Sequence, residues 1–186
     1  MEQIAKPHCG ARLDRLPDCR WHASMFAMVA FGLLVCWSNA VGGLILAQLK
    51  DLGWTDNSTT ATFSAITTAG MFLGALGGGI IGDKIGRKNA FILYEAIHII
   101  AMVIGAFSPN MIFLIACRFI MGVGLGALLV TLFAGFTEYM PGRNRGTWSS
   151  RVSFIGNWSY PLCSLIAMGL TPLISAEWNW RVQLLI

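Results

Sequence analysis

The sequence predicts an all-α, polytopic membrane protein: a bundle of helices that cross a bilayer. Three observations carry this. Of 186 residues, 55% are hydrophobic and 12% are charged, whereas soluble domains carry roughly 25% charge. The apolar residues fall in blocks long enough to span hydrocarbon, which takes about 20 residues rising 1.5 Å each. The basic residues are sorted into alternate connections between those blocks.

Taken in order, Met25 to Ala47 and Thr59 to Gly82 carry no charge. Phe91 to Phe107 is shorter and holds Glu95 and His98. Met111 to Thr137 holds Arg118 alone, and Val152 to Ser175 holds none. A sixth block opens at Val182 and is interrupted at Ile186. Soluble core helices are rarely apolar all round for such lengths. The expected organisation is a tail over residues 1–24 and a transmembrane bundle over 25–186. Its helices lie near 25–49, 59–82, 90–107, 111–137 and 150–175, followed by the start of a sixth.

The net charge of +4 does not point to a nucleic-acid partner, because the bases are segregated by loop. The tail holds Lys6, Arg12, Arg15 and Arg20. The second connection holds Lys84, Arg87 and Lys88, and the fourth holds Arg143, Arg145 and Arg151. The opposite connections hold Lys50 and Arg181. By the positive-inside rule the N-terminus, the 83–90 loop and the 138–151 loop are cytoplasmic. The expected location is a plasma (inner) membrane, with lipid as a partner.

Cys9, Cys19, Cys36, Cys117 and Cys163 form neither a metal spacing nor a disulfide framework. His8 beside Cys9 is a weak metal hint at best. No cofactor and no metal are expected. No nucleophile–base or paired-carboxylate arrangement lies within the apolar blocks, so an enzyme is not expected either. The tail lacks the short hydrophobic region and cleavage site of a secretory signal. Asn57-Ser58-Thr59 matches a glycosylation acceptor by chance composition.

Glycines carry the packing information. Gly70, Gly74, Gly78 and Gly82 recur every fourth residue and line one helix face, where small residues let two backbones approach closely in lipid. Gly122, Gly124 and Gly126 open more than one side of the fourth block.

The strongest functional signal is Gly79-Ile80-Ile81-Gly82-Asp83-Lys84-Ile85-Gly86-Arg87-Lys88, between the second and third blocks. Its glycines permit a tight turn, Asp83 can accept from a neighbouring helix N-terminus, and Arg87 and Lys88 supply a charge anchor. Any such loop collects bases and a turn glycine, but that does not account for the spacing. The segment resembles the signature loop of the major facilitator superfamily. Arg118-Phe119-Ile120-Met121-Gly122-Val123-Gly124 looks like that superfamily's fourth-helix pattern. Glu138-Tyr139-Met140-Pro141-Gly142-Arg143-Asn144-Arg145-Gly146 is similar to its sugar-porter element, and Trp178-Asn179-Trp180-Arg181 is similar to the Trp-Arg before its sixth helix. The resemblance spans Gly79 to Arg181 and is closest to the sugar-porter and metabolite:proton symporter branch. It implies the N-terminal half of the major facilitator fold, with a C-terminal six-helix half absent from this chain. It also implies cytoplasmic ion pairs between the two halves for Glu138, Arg145 and Arg87, within a gating set that includes Asp83 and Lys88.

Arg118 is the most informative single residue. An Arg at mid-membrane costs about 2.5–3.5 kcal/mol even on the lenient insertion scale. Arg118 is expected to face a cavity, binding substrate or pairing with a coupling acid; the plainer reading is a structural Arg satisfied by carbonyls. The chain also departs from the resemblance. Ser38 or Asn39 stands where symporters carry a first-helix Asp, and a neutral side chain cannot exchange a proton near pH 7. Ser153 stands where sugar porters carry a sugar-binding Gln, with Asn157 one turn on. Asn39, Ser153, Asn157 and Trp37, with Trp158, are candidate cavity groups. Each has a plainer role in interface anchoring or interhelical bonding. Glu95 lies near an interface, and a buried neutral His98 satisfied by a helix carbonyl is expected.

The expected function is secondary active transport of a small polar metabolite, a sugar or an organic acid, by alternating access around a midplane site. Symport is the expected mode. The chain alone is expected to be inactive as a truncated half. The alternative is a non-transporting membrane scaffold or receptor subunit.

Overall fold

The computed structural model describes residues 20–36, 42–140, 142–172 and 174–185. Among them the chain is helical, with no strand. The helices are α1 (Arg20–Cys36), α2 (Gly42–Asp51), α3 (Asn57–Ile85), α4 (Arg87–Ala106), α5 (Met111–Tyr139), α6 (Arg145–Asn157), α7 (Ser159–Leu170) and α8 (Ala176–Leu185).

Three of these helices, α3, α4 and α5, are long and apolar enough to cross a membrane. α3 begins where the Asp56 carboxylate accepts the Asn57 N–H at 2.9 Å and ends at Gly86. It runs past the expected boundary at 82, so Asp83 and Lys84 belong to its last turn. Gly86 alone joins α3 to α4, and its φ of +85° with ψ of 145° suits glycine only. Gly86→Val is expected to lower stability by about 1–3 kcal/mol, read as an earlier thermal unfolding transition in detergent.

The other spans differ from expectation. The segment expected over 25–49 is described as α1 and α2, on either side of residues 37–41, which lie outside the described residues. α1 starts at Arg20, so the last five positions assigned to the tail are helical. The span expected over 150–175 is two helices that meet at Trp158. Pro161 has no N–H to give the carbonyl four residues back, that of Asn157, and α6 ends at Asn157.

α5 is the central element. It packs most extensively against α3, next against α4, and more lightly against α1 and α6. α8 packs against α4 and α2. Lipid tails are as apolar as the helices, so close fit rather than water exclusion holds such helices together. The fit between α3 and α5 is backbone to backbone. A Cβ added to Gly70 would lie 2.5 Å from the Phe119 carbonyl oxygen, and one on Gly78 would lie 2.5 Å from the Ala127 Cα. One on Gly74 would strike the Val123 carbonyl, and one on Gly126 the Met71 carbonyl. Gly124 faces the other way, toward the Tyr94 carbonyl and the His98 backbone of α4.

The outward faces of α3 and α4 expose Phe72, Leu73, Leu76, Ile80, Ile92, Ile99, Ile100 and Val103. Such a run of exposed apolar side chains on long apolar helices suits lipid. The polar residues along α3 are closed off within it: Thr62, Thr67 and Thr68 donate to the carbonyls of Ser58, Phe63 and Ser64 at 2.8–3.0 Å.

Candidate functional site

Two clusters bear on function, at opposite ends of α5. The first forms where α3 ends, α4 begins and α5 ends. Arg87 Nη2 donates to Asp83 Oδ1 and to Glu138 Oε1, each at 2.9 Å. Three helices of the bundle are therefore tied by one guanidinium. Two glycines lie beside its path. A Cβ on Gly82 would come within 3.5 Å of Arg87 Nη1 and of Thr131 Oγ1, and one on Gly135 would meet the Arg87 Cβ at 3.9 Å. Arg87 thus crosses from α4 to Glu138 past Gly82 and Gly135, where an added Cβ would make ordinary van der Waals contact.

The side chains of Asp83 and Glu138 are 66% and 50% exposed. Exposed pairs contribute about 0–1 kcal/mol, so this cluster fixes geometry more than it stabilises. Asp83 accepts from Arg87 and not from a helix N-terminus: α4 opens at Gly86 without a side-chain cap. Arg145 lies apart from the pair, its Nη2 donating to the Met140 carbonyl at 3.4 Å. Lys88 is exposed on the first turn of α4.

The second cluster surrounds Arg118, about two turns into α5. The residue is 2% exposed. Its guanidinium lies over the Phe63 ring of α3, 4.9 Å from the centroid, and against Gly42 at the start of α2, where a Cβ would sit 3.4 Å from Nη1. Along α5, Arg118 and Glu138 are separated by about 30 Å. Of the polar residues expected beside Arg118, Trp37 and Asn39 lie outside the described residues. Ser153 is half-buried and Asn157 exposed on α6. Among the described contacts neither reaches Arg118.

His98 is buried on α4, with Nδ1 3.3 Å from the Met121 carbonyl. A carbonyl only accepts, so the proton sits on Nδ1, as expected for a neutral His satisfied by a neighbouring helix. Tyr94, which sequence reasoning passed over, is buried and donates to the Gly78 carbonyl at 3.0 Å, joining α4 to α3. Sequence reasoning also missed Phe63, Gly42 and Gly135. A buried aromatic near an Arg has no periodic signal, and these partners lie 55, 76 and 48 residues from the side chains they meet. Among the described residues no group of three or more His, Cys, Asp or Glu could hold a metal ion.

A buried Arg on a central helix, an ion-paired tight turn and glycine-mediated helix contacts characterise this apolar helix bundle. The sequence model of the Major Facilitator Superfamily matches residues 24–186. The metabolite transport protein YdjK of Escherichia coli (strain K12) is 94% identical over the whole chain, which covers 40% of that relative. The inner membrane metabolite transport protein YdjE of the same organism is 42% identical over 95% of the chain and 38% of its own length. The metabolite transport protein YyaJ of Bacillus subtilis (strain 168) is 32% identical over 92% of the chain and 38% of its own length. The chain belongs to the major facilitator superfamily. It spans about two-fifths of the length of the curated relatives it matches.

Proposed function

We propose that this chain supplies most of one six-helix bundle of a transporter that carries a small organic acid across the inner membrane by alternating access, with symport of a cation. The carrying observation is Arg118, a guanidinium held nearly out of solvent against an aromatic ring and a glycine. A buried Arg suits planar, bidentate recognition of a carboxylate. The organic acid is preferred over a sugar because Ser153 replaces the sugar-binding Gln that the family resemblance implies.

The Asp83–Arg87–Glu138 cluster is the proposed cytoplasmic latch. It is strong enough to orient the helix ends and weak enough to open in each cycle. Lys88 and Arg145, both exposed at the same end, are proposed to pair with the second bundle. Asn39 and Trp37, with Ser153 and Asn157, are the proposed polar lining.

The test is a chimera in which these 186 residues replace the matching part of YdjK, assayed for uptake of labelled organic acids and sugars with and without a protonophore. Acid uptake that collapses with the protonophore is expected, and Glu138→Gln should cut its rate at least tenfold while moving stability by less than about 1 kcal/mol. No accumulation or exchange of any solute in the panel would favour the scaffold or receptor reading instead.

A further inference from the structure

Behind the Asp83–Arg87–Glu138 cluster, where α3, α4 and α5 meet, lies a buried hydroxyl that the cluster does not use. Thr131 stands on α5 about two turns before Glu138 and is 2% exposed. Its Oγ1 has no hydrogen-bond partner among the described residues. The described hydrogen bonds and ion pairs of Arg87 all run through Nη2. Gly82 measures the interval between the two groups. The place its Cβ would occupy is 3.5 Å from Arg87 Nη1, 3.5 Å from Thr131 Oγ1 and 3.7 Å from the Ala90 Cβ. The nitrogen and the oxygen are therefore no more than twice 3.5 Å apart.

A buried hydroxyl that loses water without gaining a partner is costly, and such groups are nearly always satisfied in folded proteins. The usual remedy on a helix is a bond back to the carbonyl four residues earlier. Thr62, Thr67 and Thr68 of α3 take it, and Thr131 does not. Nη1 carries two N–H groups, and a hydroxyl oxygen accepts through two lone pairs. Two hydrogen bonds of about 2.8 Å, joined at one water, span about 5.6 Å when straight and less when bent. That reach falls within the limit set at Gly82, and a bridge through water is nearly as good as a direct bond.

We propose that Thr131 is a positioning residue for Arg87: its hydroxyl, through one water, holds the Nη1 edge of the guanidinium while Nη2 holds the two carboxylates. This role presupposes the cytoplasmic-latch reading of the cluster. It gives α4 and α5 a second tie that does not pass through Glu138. When Glu138 is released, Arg87 stays aimed across α5, and the latch closes again on the same geometry. Thr131 is about 20 Å along α5 from Arg118, so the hydroxyl governs the rate of closing and leaves solute affinity alone.

The test follows the guanidinium by nuclear magnetic resonance in the purified chain, carrying isotope-labelled arginine, in phosphatidylcholine nanodiscs. The Arg87 signal is identified by its loss in Arg87→Lys. Rotation about the Cζ–Nη1 bond is expected to be hindered. Thr131→Val, which keeps the shape and removes the hydroxyl, should speed that rotation at least threefold, and Thr131→Ser should keep it within twofold of the parent chain. In the YdjK chimera, Thr131→Val should lower the maximal rate of uptake at least threefold with KM unchanged, and Thr131→Ser should retain at least half the rate. On an Arg87→Lys background, whose single ammonium lacks the second edge, Thr131→Val should change the rate no further. Unchanged rotation in Thr131→Val overturns the proposal; it is the result expected of a hydroxyl that merely turns back to the Ala127 carbonyl. A threefold loss of rate that persists on the Arg87→Lys background also overturns it, since the hydroxyl then acts without the guanidinium. Faster rotation in Thr131→Val, with no uptake by the parent chimera, leaves the Thr131 contact standing and overturns the transport reading instead.

Discussion

Gly126→Ala is expected to prevent stable packing of α3 on α5, although it adds one methyl group. The new Cβ would sit on the Met71 carbonyl, and backbone cannot turn aside as a side chain does. Either the helices separate along the whole seam, losing the contacts at Gly70, Gly74, Gly78 and Gly122, or the Met71 peptide leaves its hydrogen-bonding geometry. Overpacking of a flexible core site costs about 1–3 kcal/mol; with no rotamer to yield, about 3 kcal/mol or more is expected. Gly77→Ala is the internal control. Nothing lies within 4 Å of a Cβ there, and alanine is favoured over glycine in a helix interior by about 1 kcal/mol. The same chemical change three residues from Gly74 should therefore be neutral or stabilising. Thermal unfolding of both variants in one detergent separates them, and equal midpoints would refute the backbone-contact account.

Arg118→Met should abolish uptake by the YdjK chimera without unfolding the protein. Burying the guanidinium costs about 2.5–3.5 kcal/mol on the insertion scale, and the Phe63 face returns about 2 kcal/mol when desolvated. Methionine fills similar volume, keeps contact with Phe63 and removes the charge. The desolvation cost that methionine removes and the ring contact it weakens are of similar size, so the net change in stability is expected to stay within about 2 kcal/mol. The expected pattern is a little-changed unfolding midpoint together with a loss of uptake of at least a hundredfold. A structural Arg would give the opposite pattern: a lowered midpoint, with transport falling only in proportion to the folded fraction. Arg118→Lys keeps the charge but not the bidentate fork, and should restore less than a tenth of the rate.

Local spacing made some of this legible and long-range contact hid the rest. The turn from Asp83 to Lys88 could be read in part, because a glycine at positive φ is a local signal; Asp83 was expected to meet a helix N-terminus and pairs with Arg87 four residues on instead. The glycine ladder on α3 could be read from its four-residue period, and the structure places all four of its members among the buried residues. His98 met the kind of partner its depth demanded. What the spacing could not supply was the identity of facing residues. Nothing near Arg87 in sequence names Gly135 as its neighbour, and nothing near Arg118 names Phe63 or Gly42. The break at Trp158 was available in the sequence, since Pro161 deprives Asn157 of its hydrogen bond, but the unbroken hydropathy from Val152 to Ser175 masked it. Hydropathy reports depth in lipid and is blind to a missing N–H.

The contact of α3 with α5 through bare backbone has a mechanical consequence. Two rods that touch at five glycines, with no side chains interleaved as a cushion, have little room to tilt against each other and admit no acyl chain between them. They form a single stiff beam. Among the described residues, flexure is then left to thinner joints such as the lone glycine at 86 and the proline-weakened step at 158. In the proposed transport cycle, joints of this kind rather than the long seam are the turning points.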